Sequence, residues 1–218
     1  MKTFRELAEA KQLQEQVLGW TDKNDTLSDF LEGAMEEAKK LMKYNIVYRG
    51  FGNGKTMAGV AFVKNDRSGF YGMISNNAKN LLTALKVKNP AFGARSKEKA
   101  QMFGAVYIMI PKGKFTALQS KEHVDLVSGF SGDDEDYSEE GIKKIADTYK
   151  QSLDNINDSE IVFDTKEYYL LNMDYILKEL DKGNKFQKHT GDSIKTYKDL
   201  FFALKSFISF ARFKQKNR

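Results

Sequence analysis

What most constrains the fold is how hydrophobic periodicity changes along the chain. Both ends carry helical spacing, and the middle carries short apolar runs that do not alternate with helices. Phe4, Leu7, Ala8, Leu13 and Val17 predict a first helix over 3–19, which Gly19-Trp20 ends. A second helix follows, with Thr26 or Ser28 as its cap and Phe30, Leu31, Ala34, Ala38 and Leu41 as its apolar face. The last element, from Thr196 to about Lys214, carries a broad aromatic face of Phe201, Leu204, Phe207, Ile208 and Phe210.

Between these ends the spacing shortens. Ile46-Val47-Tyr48 reads as a strand running into Arg49, and residues 50–59 hold four glycines in a loop. Val60 to Phe62 is a short strand, and Asn76 to Leu85 is a helix with Ala78, Leu81, Leu82 and Leu85 on one side. Lys97 to Phe103 makes one or two helical turns, with Ser96 as its N-cap. Val106 to Ile110 is a strongly apolar strand, stopped by Pro111-Lys112-Gly113. Gly141 to Leu153 is an amphipathic helix, and Glu160–Phe163 and Tyr168–Asn172 are strands around the turn Asp164-Thr165-Lys166. Met173 to Leu180 reads as helix. The sum is an α+β chain without βαβ rhythm, which argues against a doubly wound nucleotide fold. It divides into an N-terminal helical segment (1–43), a central core (44–180) and a basic, aromatic C-terminal helix packed on that core (181–218).

Composition excludes several classes of function. The chain of 218 residues has no cysteine, so disulfides, thiolate zinc sites and a thiol nucleophile are out; this is compatible with a reducing compartment. His123 and His189 are too few and too far apart for a metal cluster, so no metal is expected. The first residues read as charged and helical rather than as a secretion signal, and no apolar run reaches the ~18 residues of a membrane span. A cytoplasmic protein is expected. The net charge of +5 is uneven: residues 133–140 hold six acids, and residues 185–218 hold nine Lys or Arg against two Asp. That basic tail suits nucleic acid or another polyanion.

Three short stretches bear chemistry. Arg49 ends an apolar strand and precedes Gly50, a combination that suits a guanidinium gripping a phosphate with two parallel hydrogen bonds; alternatively the arginine simply leaves the sheet for water. Ser96 opens Ser-Lys-Glu-Lys, and an N-cap there does not preclude a ligand contact. Asp158 and Glu160 share one face if their segment is extended, so they form either a carboxylate pair with a raised pKa or a solvated strand start. Gly50, Gly52 and Gly54 before Lys55-Thr56 do not make a phosphate loop, because three residues rather than four separate Gly50 from the Gly-Lys pair and no clear helix follows.

Taken in order, these stretches resemble the arginine/serine/glutamate class of ADP-ribosyltransferases. Tyr48-Arg49-Gly50 is similar to the strand-end arginine motif. Ala94-Arg95-Ser96 with Ala100, Phe103-Gly104 and the strand after it resembles the middle motif, although Ala94 stands where a second hydroxyl is usual. Asp158-Ser159-Glu160-Ile161-Val162-Phe163, followed by a turn and Tyr168 to Leu171, is similar to the E-x-E segment, with Asp158 where Glu or Gln is usual. The resemblance spans about residues 44–172, and its style is that of transferase-like proteins carried by tailed phages.

It implies a split, mostly antiparallel β core around a cleft, with helices at both ends. It implies NAD as substrate and ADP-ribose transfer to a macromolecular acceptor, foremost a protein. Arg49, Tyr48, Gly50, Ser96 and Phe103 would then contact NAD, Glu160 would bond the ribose 2′-hydroxyl, and Asp158 would orient the nucleophile. Glu167 is a rival carboxylate without the same strand context. The other readings are an NAD glycohydrolase with the same site, a binding module for nucleic acid or protein, and a structural virion component.

Overall fold

A computed structural model describes residues 15–19, 27–51, 60–65, 75–120, 122, 137–154, 160–174, 176 and 194–216. It is an α+β structure of two antiparallel sheets. The strands are β1 (Glu15–Gly19), β2 (Tyr48–Phe51), β3 (Val60–Asn65), β4 (Pro90–Gly93), β5 (Ala105–Lys112), β6 (Thr116–Ser120), β7 (Tyr149–Gln151), β8 (Ile161–Asp164) and β9 (Glu167–Leu171). The helices are α1 (Leu27–Lys40), α2 (Asn76–Ala84), α3 (Lys97–Gln101), α4 (Glu139–Thr148) and α5 (Tyr197–Lys216). The first sheet has the order β1-β3-β9-β5-β2 and the second β4-β8-β6-β7.

Two bent strands join the sheets. β5 runs antiparallel to β9 from Ile108↔Leu171 to Lys112↔Glu167. Beyond Lys112 the same chain becomes β6 and pairs with β8, starting at Thr116↔Asp164. Residues 113–115 on one side therefore oppose residues 165–166 on the other. One extra residue on the first side makes a bulge, which bends a ribbon. Gly113, at φ +73°, supplies the left-handed backbone at this corner. Pro111-Lys112-Gly113 thus bends the strand instead of stopping it, and Asp164-Thr165-Lys166 carries the chain between sheets instead of closing a hairpin.

Pro111 fits inside β5 for a positional reason. The Met109 N–H donates to Val47 O at 2.9 Å on the β2 side, and Pro111, two residues on, faces the same way where β2 no longer pairs. The N–H that proline lacks has no ladder partner to lose.

At the far side of the bend, buried Asn65 donates from its amide to the carbonyls of Thr165 (2.8 Å), Asn89 (3.0 Å) and Pro90 (3.4 Å). The Asp164 carboxylate accepts from the Asn89 N–H at 2.7 Å. With its two amide hydrogens this side chain serves three interior carbonyls, the long contact to Pro90 O sharing one of them, where β3, β4 and the β8–β9 crossing meet.

The core is built on the first sheet. Leu31, Ala34 and Ala38 of α1, Leu41 just past its end, and Leu200, Leu204, Phe207 and Ile208 of α5 pack with Met109, Ile110, Leu170 and Leu171. α5 opens with a capping box: the Thr196 hydroxyl accepts from the Asp199 N–H (3.1 Å), and the Asp199 carboxylate accepts from the Thr196 N–H (2.9 Å). The Tyr197 hydroxyl, fully buried, donates to Met109 O. A second cluster, with Leu81 and Leu82 of α2 and Ile142 of α4, covers the second sheet at Phe92 and Val162. Both end helices, α1 and α5, thus share a core with the first sheet.

Some expected elements change. Glu15–Gly19 is not the end of a helix over 3–19; it pairs with β3 from Glu15↔Asn65 to Gly19↔Ala61. An open strand edge there offers a full ladder of backbone hydrogen bonds, which outweighs weak helical spacing. Residues 1–14 lie outside the described residues. The helix expected over 141–153 ends at Thr148, because Tyr149 turns to ψ 132° and its chain pairs with β6. No helix among the described residues is long and apolar enough to cross a membrane.

Candidate functional site

The three stretches meet where the sheets touch edge to edge. The Tyr48 N–H donates to Ala94 O at 2.8 Å, and the Ala94 N–H donates to Tyr48 O at 2.7 Å, bridging the end of β4 to the start of β2. β4 pairs with β8 through Gly93↔Ile161. Glu160 immediately precedes Ile161, and Ala94 immediately follows Gly93. Tyr48, Ala94 and Glu160 therefore lie across three neighbouring strand ends, with Arg49 and Ser96 one and two residues away. Close approach helps set this junction: a Cβ on Gly93 would lie 2.4 Å from Val47 Cγ1.

Arg49 does not point to where a phosphate would reach. Its side chain is turned inward and the residue is only 5% exposed. Nη1 donates to Phe92 O at 2.7 Å, and the guanidinium carbon lies 5.3 Å from the Tyr168 ring centroid. A weakly hydrated, planar cation suits such a place, between a carbonyl and an aromatic face. The expected phosphate contact is thus replaced by a bond that ties β2 to β4.

Gly50 is also corrected. Its bare face is filled by α3, since an added Cβ would lie 1.8 Å from Ala100 O and 2.7 Å from Phe103 Cβ. The glycine admits a helix backbone, not a ligand. Phe103 is half-buried in that contact. Tyr48, half-buried, has the Lys97 ammonium 5.9 Å from its ring centroid.

Ser96 takes the cap role that its sequence suggests. Its φ of −108° and ψ of 147° are extended, and its hydroxyl accepts from the Lys99 N–H at 3.2 Å. Glu160 is half-buried just ahead of β8. Asp158 lies outside the described residues.

Sequence reasoning gave no role to Arg95, which the structure makes the clasp of this region. Nη1 donates to Asn45 O at 2.9 Å, and Nη2 donates to Leu153 O and, at 3.2 Å, to Asp154 O. Gln119, nearly fully buried on β6, completes the clasp when its amide nitrogen donates to Asp154 O and its oxygen accepts from Arg95 Nη2, both at 3.1 Å. Burial lowers the Arg95 pKa, while Tyr197 and Asp154 nearby push it up. The only sequence cue was a cation between Ala94 and Ser96. Its partners are backbone carbonyls of distant segments, which no local pattern announces.

No family model matches the chain, and no curated protein or solved structure is significantly similar to it.

Proposed function

We propose that this protein is an NAD-dependent mono-ADP-ribosyltransferase that acts in the cytoplasm on a macromolecular acceptor, foremost a protein. The observation that supports the reading is the meeting of β2, β4 and β8, which gathers the arginine, serine and glutamate stretches onto neighbouring strand ends. Arg49 and Arg95 are assigned to holding those ends in register. Ser96 caps α3 and supports the wall of the nicotinamide-ribose pocket. With Arg49 turned inward, we assign the cation for the pyrophosphate to Lys97, beside the Tyr48 ring.

In this reading Glu160 accepts a hydrogen bond from the ribose 2′-hydroxyl and faces C1′. The C1′–N bond breaks, its electron pair passes to the pyridinium nitrogen, and neutral nicotinamide leaves. The sugar becomes oxocarbenium-like, as in glycoside hydrolysis, and a fixed carboxylate stabilises that charge with little reorganisation. A nucleophilic oxygen or nitrogen of the acceptor then bonds to C1′ and gives up its proton, to Asp158 or to solvent. Water as acceptor would release free ADP-ribose.

The test is nicotinamide release from NAD by purified protein and by Glu160→Gln, with and without cell lysate. The reading expects release that falls by roughly 10²–10³-fold in the variant, the scale of losing one preorganised electrostatic group. A rise on adding lysate assigns transfer; no such rise assigns hydrolysis. A folded wild-type sample that neither releases nicotinamide nor binds NAD refutes the proposal.

A further inference from the structure

The outward face of α5 has a pattern unlike its inward face. Leu200, Leu204, Phe207 and Ile208 are buried in the core. Lys198, Phe202, Lys205, Ser209 and Arg212 are all exposed, with Phe202 50% exposed. Their spacings of four, three, four and three residues keep them within an arc of about 80° on a 3.6-residue helix. At 1.5 Å per residue the stripe runs for about 21 Å, with Phe202 between two lysines about 10 Å apart. Among the described residues Lys198 and Lys205 form no ion pair. Arg212 pairs with Glu32 of α1. The acid on the first turn, Asp199, is engaged in the helix cap.

We propose that this stripe of Lys198, Phe202, Lys205, Ser209 and Arg212 binds single-stranded nucleic acid. Charge complementarity selects a polyanion. The aromatic ring selects among polyanions: an exposed Phe flanked by cations gives an unpaired base a surface to stack on while the lysines meet phosphates on either side. A duplex keeps its bases stacked inside and offers the ring nothing comparable. A lipid surface needs a broad apolar face turned outward, whereas Leu200, Leu204, Phe207 and Ile208 are buried in the core and Phe201 is half-buried, its ring edge-on to that of Phe202. This inference does not rest on the NAD chemistry proposed above.

The experiment is fluorescence anisotropy with a labelled oligothymidine of 20 nucleotides, titrated with the full chain between 50 and 200 mM salt. Parallel arms use the same length of duplex DNA and vesicles containing phosphatidylserine. Phe202→Ala should weaken oligothymidine binding by roughly 5- to 150-fold, the range of one lost base stack. Lys198→Ala with Lys205→Ala should reduce the slope of log affinity against log salt by about 1.4, at ~0.7 per phosphate contact on a single strand. Lys144→Ala, on α4, serves as a surface control and should change neither. All four positions are exposed, so circular dichroism should be unchanged and folding does not confound the result. Failure of the wild-type chain to bind the oligonucleotide, tighter binding to vesicles or duplex, or indifference to Phe202→Ala would each overturn the proposal.

Discussion

Replacing Gly50 by alanine tests whether α3 truly rests on the bare backbone of β2. The new Cβ would sit 1.8 Å from Ala100 O, and ordinary contact begins at 3.4 Å, so the two must move apart by about 1.6 Å. The obstacle is backbone. Ala100 O accepts from the Phe103 N–H at 3.0 Å, so it cannot rotate aside without breaking the turn that closes α3. The helix must lift as a unit, drawing buried Ala100 from its place. Overpacking of this kind sits at the upper end of the usual range, about 3 kcal/mol. For a chain of 150–250 residues each kcal/mol lowers Tm by ~2–4 °C, so a fall of about 6–12 °C is expected. Thermal unfolding followed by far-ultraviolet circular dichroism reads it directly. Gly113→Ala is the comparison: it has φ +73° but nothing within 4 Å of an added Cβ, so only backbone strain of about 1 kcal/mol and ~2–4 °C should appear. If Gly50→Ala melts within about 2 °C of wild type, or Gly113→Ala is the worse of the two, the packing argument is wrong.

Two further substitutions probe buried polar groups. Asn65→Ala strips the donor from three interior carbonyls and should cost about 3 kcal/mol in urea unfolding, with Asn65→Asp worse at neutral pH and recovering as acid protonates its carboxyl. Burial raises the Tyr197 pKa above the ordinary value near 10, so its contribution to stability is intact below that pH and is lost as pH rises toward the folded value. Tyr197→Phe should therefore cost about 1 kcal/mol at pH 7, from the lost bond to Met109 O, and flatten the decline in stability above pH ~10. The flattening is partial because burial also raises Tyr107 and Tyr169; an unchanged alkaline profile would remove Tyr197 from this role.

The parts legible in the sequence were those whose burial follows a local period. α1, α2 and α5 announce themselves through apolar spacing, and β5, β8 and β9 through dense apolar runs. β6 hid because its buried residues include polar Gln119 and Ser120, on opposite faces of the strand, whose burial depends on Arg95 and Thr148 elsewhere in the chain. β7 hid because Ile145, Tyr149 and Leu153 keep helical spacing across a real break. In the site, the Ser96 cap was readable because it is local. The inward turn of Arg49 was not, because it depends on Phe92 and Tyr168 arriving from two other strands.

The bent ribbon also decides how this chain must fold. Its two strands, 105–120 and 161–171, are about forty or more residues apart, and β8 and β9, though joined by two residues, pair with other strands and not with each other. Among the described residues no two strands form a tight hairpin, so no local pair can nucleate a sheet. Long loops must close before ladder hydrogen bonds form, which slows folding and leaves apolar strand edges unpaired meanwhile. Slow synthesis at low temperature, or a chaperone that shields those edges, should raise the soluble yield more than any change to the finished surface.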